Sequence, residues 1–203
     1  MRQMRASLII ASLGLALGAC GSSGGSSAGS SSVTTTVVAS TASTMTDPAV
    51  DDADVEFAQG MIAHHEQAIE MSEMALDPKA AAGTAVKNLA TRIKAAQDPE
   101  IQQMTAWLKA HNKTVEMAMD DSHNMASMPG MMSAGDMDGL ATKTGGGFDA
   151  AWLTMMIAHH TGAIEMSTTV KAKGADGELR ALAENIITAQ QAEIAQMKGI
   201  IAG

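Results

Sequence analysis

The 203-residue chain has one cysteine, no tyrosine, two phenylalanines, two tryptophans and four prolines, and its formal charge is −9. Each scarcity excludes something. A lone cysteine, Cys20, can close no intramolecular disulfide and build no thiolate metal cluster. With so few aromatics, and no stretch alternating polar and apolar residues, a β-sheet is not expected. The acidic balance argues against nucleic acid as a partner, because phosphate recognition needs a basic stripe. It suits metal cations only generically. No nucleophile stands with a base and an orienting group in a recognisable pattern, so hydrolase chemistry ranks lowest. Methionine, in contrast, is unusually frequent, at 18 positions.

The length allows one ordinary domain with appendages. At the start, Arg2 and Arg5 precede a short apolar run, and Leu17-Gly18-Ala19 leads into Cys20. This is the layout of a secretory signal, too short to span a bilayer. The placement of Cys20 resembles a bacterial lipobox, which implies removal of residues 1–19, acylation of the Cys20 sulfur and a lipid anchor in the cell membrane. Loss of Arg2 and Arg5 moves the formal charge from −9 to about −11. Residues 20–46 are Ser, Gly, Thr and Ala with almost no charge, a composition that cannot offset its ordering entropy and reads as a flexible tether.

From residue 47 the pattern is helical. Expected helices cover 51–76, about 80–111, 148–173 and 177–201, with breaks at 77–79 and 174–177 short enough to make two antiparallel hairpins, 48–111 and 148–203. A Met-, Gly- and Asp-rich connection, 112–147, joins them. The hairpins are copies. Met61-Ile62-Ala63-His64-His65 returns as Met156-Ile157-Ala158-His159-His160, and Ala68 to Ser72 returns as Ala163 to Ser167, at a constant offset. The second helices repeat Leu89, Ile93, Gln97, Glu100, Ile101 and Met104 as Leu182, Ile186, Gln190, Glu193, Ile194 and Met197. Two hairpins with one apolar stripe each predict an all-α fold, a ferritin-like up-and-down four-helix bundle.

On a helical wheel Phe57, Met61, His64, His65, Ala68, Met71 and Ser72 fall within roughly 120° of one another, and so do their counterparts from Trp152 to Ser167. Four of the six histidines are thus expected in the core, with Glu70 and Glu165 facing away. Met61 precedes His64 and His65 by three and four residues, spacings at which helical side chains meet, and Met156 does the same for His159 and His160. Imidazole with thioether suits copper, thioether favouring Cu(I); imidazole alone suits other transition metals. The competing reading is hydrogen-bonded core histidines with methionine as filler.

Gln97 and Glu100, and likewise Gln190 and Glu193, fall inside the apolar stripe of the facing helices. A carboxylate there needs a partner. Glu100 and Glu193 are therefore candidates either as metal ligands or as acceptors holding a histidine ring, with Gln97 and Gln190 behind them. Pro99, where the second copy has Ala192, is expected to kink or restart its helix. In the connection, Met117, Met119, His123, Met125, Met128, Met131, Met132 and Met137 suggest capture of soft metal ions, against a low-complexity loop or a sacrificial oxidation target.

The twin M-I-A-H-H-x-x-A-I-E-M-S words, each followed by L-x-x-x-I-x-x-x-Q-x-x-E-I-x-x-M, resemble the DUF305 family from about residue 51 to the end. Asp54 and Phe57, and Asp149 and Trp152, fit the same pattern. The resemblance implies an exported ferritin-like bundle and, for some members, copper bound through His and Met. Carried over, it points to His64, His65, His159, His160, Met61 and Met156 as ligands. The first expectation is a membrane-tethered, non-catalytic copper protein for storage, delivery or detoxification. The second is a di-iron or copper oxidase, against which stands the lack of Glu-x-x-His in the repeated words. The third is a structural or interaction module binding no metal. No particular protein partner is indicated.

Overall fold

The computed structural model describes residues 50–117 and 127–203. The expected signal at 1–19, Cys20 and its tether, and Met119, His123 and Met125 lie outside those residues.

Helix α1 spans Asp52–Leu76. Asp51 caps it, accepting from the Asp54 N–H while the Asp54 side chain accepts from the Asp51 N–H. It ends at Asp77, extended because Pro78 follows. A 3-10 turn at Pro78–Ala80 then leads to α2, Thr84–Ala110, so α2 begins four residues later than the periodicity suggested. Helix α3, Ala134–Ala141, is an addition within the connection, opened by a Ser133–Asp136 capping box. Helix α4, Gly145–Lys173, starts three residues earlier than expected and takes in the glycine run. Helix α5, Gly177–Ala202, is capped by Asp176. No strand occurs among the described residues.

Pro99 does not restart its helix: α2 runs unbroken through it. The proline faces solvent, so water can serve the carbonyl one turn earlier that loses its N–H partner. Gln97 and Glu100 therefore keep the register of Gln190 and Glu193.

The fold is all-α, a bundle of four long helices with α3 appended. Helices α1 and α2 pair, α4 and α5 pair, and α1 lies against α4, while α2 and α5 approach only sparsely. Arg92 bridges α2 to Gln196 of α5 at 2.7 Å, and Gln103 bridges to Glu178 at 3.2 Å. The apolar core is in two parts. One joins Phe57, Met61 and Ile62 with Trp107, Leu108, Val170 and Leu182. The other joins Met71 and Ala75 with Leu89, Phe148, Trp152 and Met156. The start of α1 thus meets the end of α4, so the two run antiparallel. Each fully buried large side chain contributes on the order of 2 kcal/mol. Trp152 also satisfies its indole N–H, donating to the Met71 carbonyl at 2.9 Å.

The duplicated aspartates lock the hairpins to each other. Asp54 is fully buried, and its Oδ2 accepts from the Ala175 and Asp176 N–H groups, each at 3.0 Å, in the turn of the second hairpin. Asp149 accepts from the Gly83 N–H in the turn of the first, at 3.0 and 3.1 Å. Each histidine helix therefore pins the other hairpin's turn.

Candidate functional site

Between the two apolar clusters lies a polar layer. His64, His65, His159 and His160 are all fully buried, as the wheel predicted, and Glu70 and Glu165 are exposed. Ala68 and Ala163 are fully buried too and leave room for α1 to approach α4. The His64 and His159 rings, equivalent in the two copies, lie with centroids 3.7 Å apart and planes tilted by 41°. His160 is 6.4 Å from His159. Gln97 and Gln190 are buried on α2 and α5, one turn before the glutamates.

The hydrogen bonds fix how three of these rings present themselves. His65 Nε2–H donates to Glu100 Oε2 at 2.7 Å, and His160 Nε2–H donates to Glu193 Oε2 at 2.8 Å. Each glutamate thus accepts from the ring of its own hairpin, the contact that holding a ring requires. His64 Nε2–H donates to the Pro129 carbonyl at 3.0 Å. A neutral imidazole that gives up its Nε2–H carries a lone pair on Nδ1. The Nδ1 atoms of His64, His65 and His160 are buried without a partner, as are both ring nitrogens of His159. The carboxamides of Gln97 and Gln190 and the hydroxyls of Ser72 and Ser167 are also unsatisfied. An unmade hydrogen bond at a buried polar atom costs about 1–3 kcal/mol, so this layer disfavours the fold unless something answers it. A cation held by imidazole and thioether would do so; a carboxylate holding the second ring nitrogen is the usual support for such a ligand. Among the described residues no three His, Asp or Glu side chains already converge as a metal cage. Met61 and Met156 are fully buried and pack on opposite sides of the layer, in different apolar clusters.

Burial lowers His64 from 6.5 to about 3, aided by His65 and His160 and opposed by the Pro129 carbonyl. Burial also holds His159 well below its ordinary value, with His64, His160 and His65 lowering it further. A contact with the His64 backbone opposes this weakly, without closing a hydrogen bond. Both rings are neutral at pH 7, the form that binds metal. The unfolded chain takes up these protons near pH 6.5 and the folded chain does not, so stability rises with pH across this window. It is complete above about 6.5 and is lost as pH falls towards 3. Metal-free protein should be less stable at pH 5 than at pH 7.5 by about 2 kcal/mol from His64 alone. A urea midpoint unchanged between those values would contradict the buried neutral rings.

The connection crosses this layer. Gly130, in the left-handed region (φ 77°), lies against the Ala158 and His159 carbonyls, and its backbone meets Gly162 of α4. Gln67 clamps the next turn, donating to the Met132 carbonyl at 2.9 Å and accepting from its N–H at 2.7 Å. Gln59 holds the other end through Thr114 and Glu116. Met131 and Met132 are half-buried, Met132 and Met137 packing on the second apolar cluster. Sequence reasoning missed Pro129, Gln67 and Gly162. The signal was present where the copies differ: Gln67 and Gly162 occupy equivalent positions in the repeated word, and both serve the connection.

The family model described as a domain of unknown function, DUF305, matches residues 54–201. No curated protein matches the chain. Among solved structures, a DUF305 fragment from Deinococcus radiodurans is 29% identical, with a TM-score of 0.67, over 76% of this chain and 99% of that one. A DUF305 protein from Streptomyces coelicolor, described as a candidate secreted protein, is 28% identical with a TM-score of 0.66, over 74% of this chain and 91% of that one. CopM in its Cu(II)-bound form is 35% identical with a TM-score of 0.60, over 72% of this chain and 93% of that one. CopM is also known in Cu(I)-bound and Ag-bound forms. With more than half its length matched by the family model, the chain belongs to the DUF305 family.

Proposed function

We propose that this protein is an exported copper-binding protein, held at the cell envelope by a lipid on Cys20, that stores, delivers or detoxifies copper. The proposed ligands are His64, His65, His159 and His160, with Met61 and Met156 as thioether donors. Glu100 and Glu193 orient the rings of His65 and His160, and Gln97 and Gln190 stand behind them. The observation that carries the reading is the set of buried, unpartnered ring nitrogens brought together by both copies of the repeat. The metal-bound forms of CopM support copper and silver as the metals to test first. Neither copy supplies the carboxylate-rich set of a di-iron oxidase, because each glutamate is engaged by the histidine of its own hairpin. Among the described residues no helix is long and apolar enough to cross a membrane.

One observation favours a second reading, a structural or interaction module without metal: the His65–Glu100 and His160–Glu193 pairs are already closed. Copper loading separates the two. Protein carrying His64→Leu, His65→Leu, His159→Leu and His160→Leu should retain less copper than the unaltered protein against a competing chelator. Equal copper retention by the two proteins would remove the histidines from the site.

A further inference from the structure

Three thioethers meet at a place the histidines do not occupy. A Cβ placed on Gly60 would lie 3.1 Å from Met166 Cε, 3.2 Å from Met117 Cε and 3.5 Å from Met128 Sδ. The side-chain ends of three methionines, two in the connection and one on α4, thus meet at one point, through the methyl carbons of Met117 and Met166 and the sulfur of Met128. They differ from the core methionines. Met61, Met71, Met104, Met156 and Met197 are fully buried, whereas Met117, Met128 and Met166 are half-buried and line a cleft of about 290 Å³. The fold does not demand this space. The repeat places Met155 where α1 has Gly60, and Met155 packs on an apolar cluster. The glycine opens the room, and Met117, Met128 and Met166 edge an open cleft, Met166 also packing on the first apolar cluster.

We propose that Met117, Met128 and Met166 form a thioether site for a soft monovalent cation, Cu(I) or Ag(I), distinct from the histidine layer. Neutral sulfur donors select Cu(I) and Ag(I) over hard divalent ions. A thioether has no proton to lose, so binding here is insensitive to mild acid. Glu56 and Glu165 on the cleft wall favour a cation, and Lys173 at the same wall opposes them. The site also has a place relative to the histidines. Gly60 lies one turn before His64 on α1, and Met128 precedes Pro129, whose carbonyl holds His64 Nε2. The cluster thus lies beside α1 one turn before His64. The inference rests on the soft-metal reading of the protein, but not on the histidines being ligands.

The test is Ag(I) titration of the protein with 13C-labelled methionine methyl groups, in the background with all four core histidines replaced by leucine. The Met117, Met128 and Met166 methyl resonances should shift together and saturate with one Ag(I), at pH 5 as at pH 7. Adding Met117→Leu, Met128→Leu and Met166→Leu should abolish that equivalent. Met128→Leu alone, a smaller perturbation of the fold, should weaken it by at least about tenfold. Unshifted resonances at saturating Ag(I), or an unchanged Ag(I) count in the triple leucine variant with its native melting transition, would overturn the site. Failure of the histidine reading is a separate result: full copper retention after loss of the histidines, with the three methyl shifts intact.

Discussion

Gly162→Ala should detach the connection from the bundle while leaving the helices formed. Built at Gly162, a Cβ would lie 1.9 Å from the Pro129 carbonyl oxygen, 2.3 Å from its carbon and 2.7 Å from the Gly130 nitrogen. All three are backbone atoms, so no side-chain rotation relieves the clash, and either the loop or α4 must move. Alanine favours the helix over glycine by about 1 kcal/mol, so α4 is not the part that yields. The loop leaves, taking with it the acceptor of His64 Nε2 and the Gln67 clamp on Met132. A net loss of about 2 kcal/mol is expected from the hydrogen bonds given up, offset in part by the better helix former. Hydrogen exchange should show residues 127–132 losing protection while α1 and α4 keep theirs. Native protection of that segment in the variant would show that the loop is not seated on Gly162.

Asp54→Ala should destabilise the fold strongly. It removes an acceptor of two N–H groups in the turn between α4 and α5, one of them on the buried residue Asp176, together with half of the α1 capping box. Hydrogen bonds to a charged group contribute about 1.5–3 kcal/mol each, so a loss of about 3–5 kcal/mol is expected. In a protein of this size that is a fall of about 10 °C or more in melting temperature. Asp149→Ala frees only the Gly83 N–H and should cost about 1–2 kcal/mol. A thermal melt showing the reverse order would refute the cross-pinning of the two turns.

Most of the bundle could be read from the chain because the repeat constrains it twice. The faces of α1 and α4, including the four histidines and the outward glutamates, follow from helical spacing, and the copies agree. The pairing of His65 with Glu100 and His160 with Glu193 could be anticipated, since a carboxylate in an apolar stripe must find a partner nearby. That each ring would offer Nε2 to its glutamate could not, because that depends on the direction a ring faces. Pro99 misled for a local reason: a proline whose solvent side supplies water to the freed carbonyl need not break a helix. Helix α3 was hidden by Gly135 and Gly139, poor helix formers, although its Ser133–Asp136 cap was in plain view. The connection was least legible. Its seat on Gly162 is an approach of two backbones, which leaves no periodic trace, and the Met117, Met128 and Met166 cluster joins residues far apart in sequence.

In the proposed site the metal binds the Nδ1 atoms left free by the Glu100, Glu193 and Pro129 contacts. Long-range 15N spectra of the imidazoles during Cu(I) addition test this directly, because they report each ring nitrogen by itself. The Nδ1 resonances of His65 and His160, and at least one nitrogen from the His64–His159 pair, should move to metal-bound positions while the Nε2–H donors stay protonated. Copper bound at full stoichiometry with all eight ring nitrogens unmoved would contradict it.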